Sequence, residues 1–113
     1  MTRFLAMYRL PEDADAAATF EAAYRSTHLP LVAQTPGLTS VEVSRVTSTV
    51  AGSPALMLIA LMTFSDDQAM NDAFRTPQWR ASGRNLAEIG GLELATMVTL
   101  AEPESIPVGS DNA

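Results

Sequence analysis

The stretch ALMLIALMTF, residues 55–64, determines the architecture that this sequence predicts. Successive side chains of a β-strand point to opposite faces of the sheet. Here the even-numbered and the odd-numbered positions are both apolar, with Thr63 as the single polar residue. A sheet with one face in water alternates apolar and polar residues instead. The stretch therefore predicts a strand that is buried on both of its faces.

Three further strands are predicted around it, over Arg3–Leu10, Leu38–Thr49 and Leu92–Ala101. Leu38–Thr49 is rich in Val, Thr and Ser, as strands are, and Ala51–Pro54 forms a hairpin connection to Ala55–Phe64. The last strand also carries apolar residues on both faces. Two strands of the sheet are thus expected to need cover on both sides.

The first helix follows the first strand, and Asp13 or Asp15 caps it. One face carries apolar or aromatic residues at spacings of three and four, which are Ala17, Phe20, Tyr24 and His28. Because Pro30 disfavours helical geometry at Leu29, the helix is predicted to end or kink there.

The second helical region is predicted to consist of two short helices. Ser65 and Gln68 form a capping-box pattern for the first of them. Thr76 and Pro77 then restart the chain as N-cap and first helical residue, and Gly90-Gly91 ends the helix. One face of this later helix carries Trp79, Gly83, Leu86 and Ile89.

The element order is therefore β-α-β-β-α-β, which predicts an α+β, ferredoxin-like domain with a four-stranded antiparallel sheet and its helices on one face. We assign residues 1–102 to this domain and residues 103–113 to a polar C-terminal tail. The helices cover one sheet face only. The uncovered apolar face predicts a homodimer that pairs two sheets face to face. The alternative is that the tail folds back with Ile106 and Val108, its only sizeable apolar residues.

Composition restricts the partners of the chain. It has 13 acidic and 7 basic residues, all of the latter Arg, and a net charge of −6. This balance argues against nucleic acid and against anionic membranes, because both bind basic patches. The longest apolar run, Ala55–Met62, is shorter than the roughly 20 residues that span a bilayer. With no cysteine and no signal-peptide pattern at the start, we expect a cytoplasmic protein.

The run YRSTHLPLV, residues 24–32, resembles the signature of the EthD family, in which an aromatic residue precedes His-x-Pro at the end of the first helix. The matching positions are Tyr24, His28 and Pro30. Further residues that fit the family are Pro36-Gly37, Phe74, Pro77 and Trp79. The resemblance extends from Arg3 to about Glu102 and implies a dimeric α+β barrel. Members are loosely described as oxidoreductases, and related barrels include cofactor-free monooxygenases, polyketide cyclases, lactone isomerases and haem-degrading enzymes.

His28, the only histidine, is the candidate catalytic residue. It shares a helical face with Phe20 and Tyr24, so it points at the sheet. There it is either a general acid or base at the mouth of an apolar pocket, or a structural histidine that bonds to backbone near Pro30. Tyr24 is the second candidate catalytic residue, since its hydroxyl would orient a substrate.

Four aromatic residues complete the candidate site as substrate-binding residues: Tyr8, Phe20, Phe74 and Trp79. Each of them is also an ordinary core residue by its spacing. Arg45 follows Val41 and Val43 on one strand face, where it requires a carboxylate or an anionic ligand that Glu42, on the opposite face, does not supply.

Other classes of site find little support. One histidine, no cysteine and scattered acids do not make a metal site, and no Gly-rich phosphate loop is present. Haem-degrading relatives carry their axial histidine on the second helix, which has none here. We therefore expect no metal and no cofactor. The first hypothesis is a metal-free and nucleotide-free oxidoreductase-like enzyme, cyclase or isomerase that acts on a hydrophobic, aromatic or polyketide-like substrate by proton transfer or cofactor-free oxidation. The alternative is a non-catalytic ligand-binding or accessory protein of a degradation or biosynthetic pathway.

Overall fold

A computed structural model describes residues 1–109 of the chain and confirms the predicted order of elements. The strands are β1 (Thr2–Arg9), β2 (Leu38–Arg45), β3 (Leu56–Phe64) and β4 (Ala95–Leu100). The helices are α1 (Ala14–Ala23), α2 (Leu29–Val32), α3 (Asp67–Phe74) and α4 (Pro77–Glu88), with a π-helical turn over Tyr24–His28 between α1 and α2. Within the described residues no helix is long and apolar enough to cross a membrane.

The four strands form one antiparallel sheet in the order β2-β3-β1-β4. The two central strands pair so that Ala6 of β1 lies opposite Ala60 of β3, and Met97 of β4 lies on the other side of Ala6. The helices cover the face that these residues share, since Ala6 and Ala60 are fully buried. The ferredoxin-like α+β architecture is confirmed.

Two strands, β2 and β4, are shorter than predicted, and each has its own reason. β2 ends at Arg45, since β3 begins only at Leu56. The amide of Val46 still bonds to the carbonyl of Met57, and the next residues are exposed. β4 begins at Ala95 because the chain before it forms a turn, in which the Leu94 amide bonds to the Gly91 carbonyl at 3.0 Å.

Of the end or kink predicted at Leu29, the structure excludes the end, because the helical region continues through the π turn into α2. The Leu29 amide bonds to the Tyr24 carbonyl, five residues back. Two residues favour this wider turn. Pro30 has no amide hydrogen to donate to an α-helical partner. The Thr27 hydroxyl, in addition, donates to the Ala23 carbonyl at 2.7 Å.

The helix caps agree with the sequence at two positions and differ at one. Asp13 caps α1 and Thr76 caps α4, each by accepting a backbone N–H with its side chain. The cap of α3 is Asp66, which accepts from the Ala69 amide at 2.8 Å, so the capping box predicted at Ser65 and Gln68 is wrong. A carboxylate is a strong N-cap and also matches the positive end of the helix dipole.

The strand β3 has the two-sided character that its sequence predicts. Leu58 and Ala60 are buried under the helices, and Ile59 and Leu61 are half-buried on the other face. On that face Leu61 lies opposite Leu5 of β1, and Val98 of β4 lies on the other side of Leu5. We call this surface, formed by Leu5, Ile59, Leu61 and Val98, the open face. No described element covers it.

The tail does not fold back over the open face within the described residues. Ile106 and Val108 are 73% and 84% exposed. Residues 101–109 have no regular secondary structure, and the last four residues of the predicted tail lie outside the described part of the chain. The boundary at residue 102 therefore stays a prediction.

Gly91 is required by close packing between the end of α4 and α1. A Cβ at this position would lie 2.3 Å from Leu86 Cδ1 and 2.9 Å from Phe20 Cε1, and both of these side chains are buried. We expect Gly91→Ala to lower the free energy of unfolding by about 1–3 kcal/mol, as overpacking of a core does. Urea unfolding at one fixed protein concentration measures this.

The matched control for this prediction is Gly83→Ala, because a Cβ at Gly83 meets no described atom within 4 Å. It should leave the stability unchanged or raise it by about 0.5–1 kcal/mol, since alanine is the better helix former. Equal stabilities of Gly91→Ala and the wild type would contradict the packing argument.

Candidate functional site

A cavity of about 200 Å³ lies between α4, the π turn and the helix-covered face of the sheet. Its walls are Phe4, Ala6, Tyr8, His28, Val32, Met62, Trp79, Ser82, Gly83, Leu86, Leu92 and Met97. None of these residues carries a carboxylate, ammonium or guanidinium group. The polar groups at the cavity come from Tyr8, His28 and Ser82, so an apolar ligand would meet a few convergent polar atoms.

The π turn places the imidazole of His28 against the cavity. The side chain is 5% exposed, and its ring lies 5.0 Å from the ring of Tyr24 at an interplanar angle of 31°. Nδ1 is enclosed and has no hydrogen-bonding partner among residues 1–109. Buried polar atoms are nearly always paired, so an imidazole nitrogen without a partner, in a residue that lines a cavity, makes His28 the candidate functional group.

Burial lowers the pKa of His28 below its ordinary value. Hydrogen bonds of the imidazole to the Asn85 side chain and to the Ser82 backbone act in the opposite direction and are the smaller effects. The imidazole is therefore neutral at pH 7 and has a lone pair with which to accept a proton or a hydrogen bond.

The two tyrosines have different positions relative to the cavity. Tyr8 lines it, and Tyr24 packs behind Tyr8 and His28, with 4.9 Å between the two phenol rings. Burial raises the pKa of both phenols, and the neighbouring Tyr24 adds to the increase at Tyr8. Both hydroxyls are protonated at neutral pH, so Tyr8 is suited to donate a hydrogen bond and not to act as a base.

Of the six predicted site residues, the cavity wall contains His28, Tyr8 and Trp79. The other three, Tyr24, Phe20 and Phe74, pack against residues of the wall. Phe20 packs on Tyr8 with 5.5 Å between ring centres, and Phe74 stacks on Trp79 at 4.8 Å and 33°. Direct substrate contact by Tyr24, Phe20 and Phe74 stays a prediction.

Sequence reasoning missed several residues of the cavity wall. Ser82 lies one helical turn after Trp79, and its hydroxyl donates to the Trp79 carbonyl at 2.7 Å. The three-residue spacing from Trp79 would have indicated it. Leu92 and Met97 come from the turn before β4 and from β4 itself, and no local spacing connects them to His28.

Arg45 lies outside this cavity and finds its counterion within the protein. Its guanidinium donates to Glu21 Oε2 at 2.6 Å, and Arg25 contacts the same oxygen at 3.0 Å. These arginines lower the pKa of Glu21 through hydrogen bonding and charge. The counterion of Arg45 is therefore the Glu21 carboxylate of α1, and no anionic ligand is needed.

Three larger depressions lie elsewhere on the surface. One of about 530 Å³ lies between α1 and the β2–β3 connection, one of about 500 Å³ lies near Ser65 and Gln68, and one of about 400 Å³ lies near Asp67 and Glu102. All three are more open to solvent than the cavity beside His28 and do not contain the histidine. The cavity beside His28 is therefore the candidate functional site.

A solved structure with the same architecture identifies the family. An EthD-family protein from Bacillus halodurans superposes with a TM-score of 0.79 and 30% sequence identity, over 91% of this chain and 99% of that one. The chain belongs to the EthD family. The resemblance of residues 24–32 to the EthD signature is thus confirmed, although no family model matches the sequence and no curated protein matches it either.

More distant structures share the fold of this EthD-family chain. A dimeric ferredoxin-like protein of unknown function from Jannaschia sp. CCS1 has a TM-score of 0.63 at 20% identity, over 90% of this chain and 100% of that one. SnoaB, a cofactor-independent oxygenase from Streptomyces nogalater, has a TM-score of 0.60 at 16% identity, over 95% and 97%. At these identities the likeness concerns the fold alone.

The lowered pKa of His28 predicts a pH dependence of stability. The unfolded chain binds this proton more tightly than the folded protein. Stability is therefore retained above the unfolded value of about 6.5 and is lost as the pH falls towards the folded pKa. We expect wild type to lose more unfolding free energy than His28→Gln between pH 8 and pH 5.5, measured by urea unfolding.

Since the chain has one histidine, the difference between the two curves isolates this single imidazole. Both proteins contain the same carboxylates, so the contribution of these groups to the pH dependence cancels in the difference. Parallel curves over this range would contradict the buried, neutral state of His28.

Proposed function

We propose that this EthD-family protein is a metal-free and nucleotide-free enzyme that removes a proton from an uncharged, hydrophobic substrate of aromatic or polyketide-like chemistry. The observation that carries the proposal is His28, a buried neutral imidazole that lines an apolar cavity and whose enclosed Nδ1 has no hydrogen-bonding partner among the described residues. A general base works best when it is unprotonated at the working pH and within reach of the substrate.

The other groups of the cavity support this chemistry. Removal of a proton beside a carbonyl or phenol leaves negative charge on oxygen, which a nearby hydrogen-bond donor stabilises. Tyr8 stays protonated because its pKa is raised, and its hydroxyl is hydrogen-bonded to Tyr24, so on substrate binding it would exchange that bond for one to the developing negative charge. Ser82 already donates to Trp79, so its hydroxyl offers acceptor capacity only. Tyr24 acts by holding the His28 ring through their contact.

The proposed reaction after proton removal is isomerisation, cyclisation or oxidation without a cofactor. SnoaB is described as a cofactor-independent oxygenase and shares this fold, which supports the oxidation branch. In that branch the deprotonated, electron-rich substrate would pass electrons to dioxygen as co-substrate. The isomerase and cyclase branches need no oxidant.

The non-catalytic alternative would be favoured by a closed pocket or by a histidine held through backbone hydrogen bonds. The cavity opens to the surface at Gly83, Leu92 and Met97, which favours an enzyme. The hydrogen bonds of His28 to the Ser82 backbone and the Asn85 side chain favour the alternative, but Nδ1 has no partner among the described residues. Ligand binding without proton transfer would identify an accessory protein.

We also propose that two copies of the chain pair through the open face. Leu5, Ile59, Leu61 and Val98 form an apolar patch on this face, and a matching copy would bury it. Structural neighbours described as dimeric and ferredoxin-like support the pairing. A two-fold axis would bring the open faces of two protomers together as one self-complementary interface.

Proton transfer by His28 is tested with phenylacetone, a neutral single-ring ketone with acidic protons beside its carbonyl. In deuterated buffer at neutral pD, wild type should accelerate exchange of these protons, followed by proton NMR. His28→Gln should reduce the catalysed rate by about 100-fold or more, because the base is removed.

The matched control is Arg84→Gln, an exposed position of α4 outside the cavity wall, which should exchange at the wild-type rate. Trp79 fluorescence reports whether phenylacetone still binds each variant. Undiminished exchange by His28→Gln would remove the catalytic assignment, and binding without exchange by wild type would support the accessory role.

The proposed dimer predicts that a charge in the open face disrupts assembly. Ile59→Asp or Leu61→Asp should convert a dimer into a monomer in sedimentation at micromolar concentration, because burial of an unpaired carboxylate costs several kcal/mol. Val50→Asp is the control, since Val50 is 96% exposed and lies outside the sheet. A monomeric wild type would disprove the proposed interface.

A further inference from the structure

Gly83 is a helical glycine for which the protomer offers no structural reason. Gly37 and Gly90 have positive φ angles of 86° and 84°, and Gly91 is required by its contacts with Leu86 and Phe20. Gly83 lies inside α4 without a positive φ, and a Cβ there meets no described atom within 4 Å. A glycine inside a helix is less stable than alanine, so its position calls for another explanation.

The position of Gly83 supplies that explanation. It follows Trp79 by four residues and precedes Leu86 by three, so all three lie on the side of α4 that faces the cavity. Most of the wall is buried, but Gly83 is exposed, as are Leu92 at 52% and Met97 at 39%. These three residues therefore form the rim of the cavity mouth.

We infer that Gly83 lies at the entrance of the cavity and keeps it open, and that the cavity itself takes uncharged molecules of about one aromatic ring. The inference rests on the proposed function, since it concerns the ligand of the same site. The hydrogen atom of glycine leaves the mouth open beside Leu92 and Met97. Any larger side chain would project from α4 into this opening.

The size limit follows from the volume of the cavity. Its 200 Å³ exceed the roughly 150 Å³ of an engineered apolar cavity that binds benzene, so one ring with small substituents fits. Three fused rings would not fit within the walls. The charge limit follows from the lining, because an ionised ligand would lose its hydration without gaining a counterion there.

The test uses 4-methylphenol as probe and the fluorescence of Trp79, the only tryptophan, which lies in the cavity wall. Stopped-flow mixing gives the association rate constant. Gly83→Leu should lower it, because the isobutyl side chain would project into the opening through which the probe enters. Ala87→Leu, also exposed on α4 but outside the cavity wall, should leave the rate unchanged.

Two further ligands test the chemical class on wild type. 4-Hydroxybenzoate has the shape of 4-methylphenol and a carboxylate in place of the methyl group, and 9-hydroxyphenanthrene has three fused rings. Each should bind about tenfold or more weakly than 4-methylphenol, because the first brings a charge into the cavity and the second exceeds its volume.

Circular dichroism establishes that each variant is folded. If Gly83→Leu does not fold, Gly83→Gln replaces it, because glutamine is also a good helix former and its longer side chain would still project into the opening. Equal association rates for a folded Gly83 variant and wild type would overturn the role of Gly83 at the entrance. Tight binding of 4-hydroxybenzoate or 9-hydroxyphenanthrene would overturn the inferred ligand class. The proposed function stands in both cases. Failure of wild type to bind 4-methylphenol while exchanging the protons of phenylacetone also overturns this inference alone. Failure in both assays rejects the proposed function with it.

Discussion

The whole fold depends on a central strand that is apolar on both faces. Because Leu58 and Ala60 need cover, α1, α3 and α4 pack on one side of β3 and its neighbour β1. The same strand presents Ile59 and Leu61 to the other side, which the helices do not reach. A strand of this kind is stable only between two layers. The cavity beside His28 and the open face therefore lie on opposite sides of one sheet.

This arrangement separates the demands on the two faces. The open face needs continuous apolar contact, while the helical face tolerates a cavity because aromatic rings close around it. Phe4 packs on both Phe74 and Trp79 with 5.5 Å between ring centres, and Tyr8 packs on Tyr24 at 4.9 Å. Edge-to-face contacts of this kind stabilise rings beyond the area that they bury. They keep the wall rigid beside an unpaired imidazole nitrogen, whose burial is expected to cost about 1–3 kcal/mol.

Much of the fold was predictable from the sequence, because strands and helices leave a periodic pattern of apolar residues. The break at Thr76-Pro77 and the two-sided β3 follow from residues adjacent in the chain. How deeply a side chain lies relative to the cavity does not follow from residues adjacent in the chain. Spacing showed which helical face contains Phe20 and Tyr24, but whether they line the cavity or stand behind Tyr8 depends on packing between distant elements. The pairing of Arg45 with Glu21 is of the same kind, since it joins β2 to α1 across 24 residues.

The π turn also has an evolutionary consequence. Its hydrogen bond spans five residues where an α-helix spans four, so the first helical region holds one residue more than a regular helix needs. Loss of a single residue in this turn would restore regular α-helical bonding, while the segments on either side keep their orientation because the wider turn had absorbed the additional residue. A one-residue deletion is therefore a change that this helical region can take without unfolding the domain, and it would reposition only the side chains between Tyr24 and His28.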